Sequence, residues 1–93
     1  MNIEILEVRL LPGNKVTRAF CDVKIDGVTV RDFRVMQSGG CPYVKAPFQT
    51  YKNVNGVIQF RQIIDLPDEV RGQVDTAILS EFYRMKEQRG GES

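Results

Sequence analysis

No histidine occurs in this sequence. That removes the commonest general base and metal ligand in one observation. The two cysteines, Cys21 and Cys41, stand far apart, and neither has a neighbour that would activate a thiolate or complete a metal knuckle. Asp22, Asp26 and Asp32 could be combined into a carboxylate dyad, but all three read as solvated strand or turn residues. Gly39-Gly40 is too isolated to cradle a phosphate, and neither the dinucleotide nor the nucleotide fingerprint is present. A non-enzymatic chain without a metal or cofactor is expected. What remains is cationic: Arg18, Arg31, Arg34, Lys45, Lys52 and Arg61 fall on strands and loops. Any one of them taken alone merely solubilises. Together they suit a phosphate-rich ligand, because planar guanidinium donors match phosphate oxygens. Tyr51 and Phe48 beside Lys52 add base-stacking capacity for a single strand.

The charge distribution points the same way. Net charge is only +1, too little for a strongly basic nucleic-acid binder. Up to residue 61, however, nine Lys/Arg face five Asp/Glu, leaving +4, whereas from residue 62 onward four face seven, leaving −3. A polyanion should prefer the first part to the last.

The elements that must position these groups follow from periodicity. Ala19 to Met36 is two β-rich runs joined at Asp26-Gly27, the strongest short-range hairpin signal because a primed turn needs positive φ. A two-residue turn opposes Ile25 with Val28 and Val23 with Val30. Continued without change, that register would oppose Cys21 with Asp32 and turn Phe33 and Val35 to the wet side. One extra residue near Arg31-Asp32 restores them to the apolar face, so a β-bulge is expected there.

Around this hairpin, Ile3 to Leu11 reads as a strand with Leu6, Val8 and Leu10 on one parity, and Tyr43 to Ala46 as a short strand ended by Pro47. Residues 47 to 56 read as the longest connection, either a hairpin tip with packed aromatics or a recognition loop. Val57 to Ile64 is a fifth strand, with Ile58 and Phe60 expected inward and Gln59 and Arg61 outward. Val70, Val74, Ala77, Ile78, Phe82 and Met85 then recur at helical spacing behind Pro67, Asp68 and Glu69, giving a helix of roughly 20 residues. The fold class is therefore α+β: a five-stranded, mainly antiparallel sheet with one C-terminal helix packed on it. Arg18, Phe20 and Lys24 are expected on the sheet's other face.

One domain over residues 1–89 and a disordered tail at 90–93 are expected. No apolar run approaches the ~20 residues needed to span a bilayer, and the opening residues carry no basic n-region. A cytoplasmic protein with reduced thiols, making no membrane contact, is expected. A small-molecule pocket has no support in the sequence.

Several pieces, in order, resemble one family: Glu7-Val8-Arg9-Leu10; Arg18-Ala19 with Cys21, Val23 and Ile25-Asp26; Asp32-Phe33-Arg34-Val35; Tyr43-Val44-Lys45-Ala46-Pro47; Phe60-Arg61 with Ile63; and Ala77-Ile78-Leu79 with Glu81 and Tyr83. Together they are similar to the stage V sporulation protein G family of bacterial septation regulators. The resemblance implies a small sheet with a C-terminal helix, and a homodimer assembled through strand edges. It also implies a regulator that binds DNA or RNA and influences division septum formation and, in spore formers, sporulation. Family members usually carry Pro-Ser-Lys-Arg after the fourth strand, where this chain has Pro47-Phe48-Gln49-Thr50 and then Tyr51-Lys52. Arg34, Lys52 and Arg61 are the residues that carry over; Arg18 and Tyr51 complete the expected contact set. The missing Lys-Arg pair favours a second expectation, a protein-interaction module acting on a division or regulatory partner. Arg34 could also be structural, pairing with Asp32.

Overall fold

The chain turns at Asp26-Gly27, where φ is +48° and +87°, the pair of positive values that a primed turn requires. A computed structural model describes residues 1–13 and 16–90, with the backbone alone for 88–90. It is α+β, with one C-terminal helix packed on antiparallel strands. Strands β1 (Ile3–Leu10), β2 (Thr17–Ile25), β3 (Val28–Met36) and β4 (Tyr43–Lys45) form one sheet in the order β1-β2-β3-β4. Strands β5 (Phe48–Lys52) and β6 (Ile58–Gln62) form a separate two-stranded ribbon, and α1 (Asp68–Gly90) closes the chain. The expected tail at 90–93 thus loses Gly90 to the helix, and its remainder lies outside the described residues.

Two expectations are corrected here. The described residues form six strands in two sheets, not five in one. The residues read as a long connection are themselves the missing strand. Phe48, Thr50 and Tyr51 are good strand formers, and β5 pairs with β6 in an unbroken register from Phe48↔Gln62 to Lys52↔Ile58. The Asn53 side chain closes the turn by accepting from the amides of Asn55 (2.9 Å) and Val57 (3.0 Å), an Asx device that tightens the reversal. The second correction follows from the first. No other strand or helix among the described residues approaches the ribbon's backbone, so Ile58 and Phe60 do not reach the core. They are 59% and 65% exposed.

The expected bulge is present. Val23 faces Val30, but Cys21 faces Phe33, so Arg31 and Asp32 share the space opposite Asp22. Asp32 takes the left-handed conformation at φ +66°, a backbone state Asp tolerates better than most residues. A second bulge was not expected. Ile5 faces Val23 while Glu7 faces Asp22, which leaves Leu6 as the extra residue. It brings Ile3 and Ile5 onto the same face as Val8 and Leu10, and all four pack against the core.

That core is Ala19, Cys21, Val23, Phe33, Val35, Val44 and Ala46 of the sheet side against Val74, Ile78 and Phe82 of α1. The helix contributes residues at i, i+4 and i+8, one stripe on one face. Cys21 is buried and Cys41 exposed, and both are free. Burial is the main cause that pushes the Cys21 thiol up to about 12, so it packs as a small apolar residue and not as a nucleophile. No helix among the described residues is long and apolar enough to cross a membrane.

Candidate nucleic-acid interface

The face of the four-stranded sheet that α1 does not cover is organised by register. Arg9 lies opposite Phe20, Phe20 opposite Arg34, and Arg34 opposite Lys45. These four side chains therefore form one row across all four strands, because directly paired residues of an antiparallel sheet share a face. The ribbon's base folds against the row's far end. The Arg34 guanidinium carbon lies 4.1 Å from the Phe48 ring centre and 5.3 Å from that of Phe20. Lys45 Nζ lies 4.9 Å from Phe48 and 5.5 Å from Phe60, and the two rings meet edge-on at 5.6 Å. Phe20, Arg34, Phe48, Lys45 and Phe60 thus form a continuous alternation of rings and cations.

The Arg34 Nε is buried without a hydrogen-bond partner. An orphaned donor of this kind costs about 1–3 kcal/mol, while two cation–π contacts return about 0.5–2 kcal/mol each. The two effects are of similar size, so the arrangement holds without a carboxylate partner. Arg34 does not pair with Asp32, as the sequence suggested. Asp32 instead accepts from Arg9 at 3.2 Å.

Asp22 was read as solvated, and this is corrected: it is 4% exposed, the one buried charged residue among those described. Its carboxylate accepts from Arg9 (3.0 and 3.3 Å), from Arg31 (3.2 Å) and from the bulge amide of Asp32 (3.2 Å). The Arg9 hydrogen bond comes first in holding the Asp22 carboxyl below the usual range, against the opposing effect of burial. Arg9 also reaches Glu7 at 3.2 Å. This network satisfies the amide that the bulge frees, commits both terminal nitrogens of Arg9 and takes one nitrogen of Arg31.

The uncommitted cations are elsewhere. Between Asp32 and Asp65 the chain contains Arg34, Lys45, Lys52 and Arg61 and no carboxylate at all. None of the four pairs with an acid among the described residues. Lys52 and Arg61 both lie on the ribbon but on opposite faces. Lys52 shares a face with Ile58, Phe60 and Phe48, whereas Arg61 shares the other with Gln49, Tyr51 and Gln59. Both faces are solvent-accessible beyond the ribbon's base, because no other strand or helix among the described residues lies against them. Arg18 does not join them. It marks an irregularity in the β2–β3 register, contacts the Gly13 carbonyl at 3.4 Å and lies beside Phe82 and Lys86 at the far end of the helix. The expected set is thus partly assembled: Arg34, Lys52, Arg61 and Tyr51 surround the ribbon and Arg18 stands apart.

The sequence matches no protein-family model and no curated protein.

Lys45, Phe48 and Phe60 are the residues that sequence reasoning undervalued. The sequence shows Lys45 only as one cation among several, whereas its place opposite Arg34 depends on the β3–β4 register. Phe60 was assigned inward by alternation, a rule that holds only where one face of a strand meets a core.

Proposed function

We propose that this chain is a non-enzymatic regulator that binds DNA or RNA through the sheet row and the β5–β6 ribbon, and that single strands are the preferred form. The observation that carries this reading is the carboxylate-free run from residue 33 to 64, in which Arg34 and Lys45 alternate with the Phe48 and Phe60 rings and Lys52 and Arg61 lie on the adjoining ribbon. Cations track a phosphate backbone while exposed rings stack on unpaired bases, each stack being worth about 1–3 kcal/mol. Similarity to the septation regulators suggests that the bound state influences division septum formation in the cytoplasm.

Fluorescence anisotropy with labelled single-stranded DNA, duplex DNA and RNA at low salt tests the proposal. Phe60→Ala is expected to weaken single-strand binding by about 1–3 kcal/mol. The same change should cost only about 1 kcal/mol of stability, because Phe60 is largely exposed and loses just its edge contact with Phe48 and its cation–π contact with Lys45. Absence of binding to all three probes would remove the proposal.

One observation favours a second reading, the protein-interaction module. The ribbon exposes Tyr51, Val57, Ile58, Phe60 and Ile63, more apolar surface than so small an element usually leaves in water. If no nucleic acid binds, this reading replaces the first.

The proposed assembly is a homodimer through strand edges. The outer edge of β1 is open, and β4 covers β3 only at Arg34–Met36; open edges are a standing invitation to pairing. Sedimentation equilibrium should therefore give twice the 10.6 kDa chain mass. A species that stays monomeric at tens of micromolar would count against the dimer.

A further inference from the structure

A cleft of about 780 Å³ lies between the uncovered face of the sheet and the base of the ribbon. It exists because β4 is short. Residues 28–32 of β3 have β2 on one side and no strand on the other, and the chain leaving β6 through Ile63 and Ile64 forms the opposite wall. Pro47, Phe48 and Phe20 supply further apolar lining. The charged lining is Arg9, Arg31, Arg34 and a single carboxylate, Asp32, for a net of +2. Asp32 is already engaged by Arg9. Arg31 spends one nitrogen on Asp22 and keeps a 71% exposed side chain. Arg34 has no hydrogen-bond or carboxylate partner among the described residues, and its guanidinium packs against the Phe48 and Phe20 rings at 4.1 and 5.3 Å. The volume lies in the range of small-ligand sites, which are typically apolar cavities with a few convergent polar groups.

We propose that this cleft receives one nucleotide unit, its phosphate held by Arg31 and Arg34 and its base against the Pro47 and Ile63 wall. Guanidinium groups match phosphate bidentately, and a planar fork already packed against rings loses less freedom on binding. A flat, weakly polar body attached to an anion is what the opposing apolar wall accommodates. The unit can be a free mononucleotide or one unstacked residue of a bound strand. The second source rests on the nucleic-acid reading above; the first does not.

Amide-resolved NMR titration of the full chain tests this, with adenosine 5′-monophosphate, adenosine and an eight-residue oligoadenylate as probes. If the monophosphate shifts the amides of Thr29–Asp32, Phe48 and Ile63 while adenosine shifts them at least fivefold less, the cleft takes a free nucleotide. If only the oligomer shifts those amides, the unit belongs to a strand. In either case Arg31→Ala should weaken the cleft-binding probe at least fivefold, and Arg34→Lys, which keeps the charge but loses the fork, should do likewise. Lys86→Ala, on the helix that covers the sheet's other face, should leave monophosphate binding unchanged. Shifts confined to residues 51–61 would overturn the cleft while leaving strand binding by the ribbon intact; no shift with any probe would overturn both.

Discussion

Asp22→Ala is expected to lower the unfolding free energy by about 2–3 kcal/mol, the largest loss from any single polar change in the described residues. The reasoning separates two costs. The substitution orphans the Asp32 bulge amide, worth about 1–3 kcal/mol, and it leaves Arg9 and Arg31 without their buried partner. Breaking a fully buried ion pair costs about 3–5 kcal/mol, but both arginines can turn to water, so only part of that applies. A chain of this size has about 5–14 kcal/mol in total, and a fall of about 10–20 °C in Tm should follow. Asp22→Asn, which keeps one acceptor for the amide, should fall between wild type and alanine. The pH dependence has a definite sign. Asp22 titrates lower in the folded chain than its ordinary 3.8, so its contribution is complete above that value and is lost as pH falls through the depressed native one. Urea unfolding at pH 7 and at pH 3 should show the gap between wild type and Asp22→Ala narrowing with acid. An equal gap at both would contradict the network.

Phe48→Ala should release the ribbon while sparing the sheet. A two-stranded ribbon is marginal in water by itself, and this one meets the main sheet chiefly where Phe48 covers Arg34 and Lys45. Deleting a half-buried ring and its cation–π contacts should cost about 1–2 kcal/mol globally. The local effect is expected to be larger: hydrogen-exchange protection in Phe48–Lys52 and Ile58–Gln62 should fall at least tenfold while β2 and β3 amides keep theirs. Single-strand affinity should fall with it, by about tenfold, because Lys45, Phe60 and Lys52 would no longer be held on one surface. Unchanged protection in the ribbon would show that something other than Phe48 anchors it.

The parts of this fold that were legible in the sequence are those where side chains meet the core. The Asp26-Gly27 turn and the Arg31-Asp32 bulge could be read because Phe33 and Val35 would otherwise face water, and the register shows both. The α1 stripe was legible for the same reason. The Leu6 bulge carried a similar signal, since Ile3 and Ile5 are out of phase with Val8 and Leu10, but the even-numbered run masked it. The ribbon was illegible because alternation there has no core to answer to: Ile58 and Phe60 look inward by pattern and are exposed in fact. Asp22 was misread because a buried carboxylate is recognisable only from its partners, and Arg9 lies one strand away while Arg31 is placed by the bulge. The site followed the same division. Its charge was visible along the chain, whereas its shape depends on the row Arg9, Phe20, Arg34, Lys45 that pairing creates.

Salt-dependent anisotropy on a single-stranded oligonucleotide tests most directly whether the carboxylate-free surface captures a polyanion. If Arg34, Lys45, Lys52 and Arg61 each neutralise one phosphate, the logarithm of affinity should fall against the logarithm of salt with a slope of about −3 per chain. Lys52→Ala and Arg61→Ala should each flatten that slope by about 0.7, and Arg18→Ala, beside the far end of the helix, should leave it unchanged. A slope near zero, or an Arg18→Ala effect as large as that of Lys52→Ala, would contradict the account.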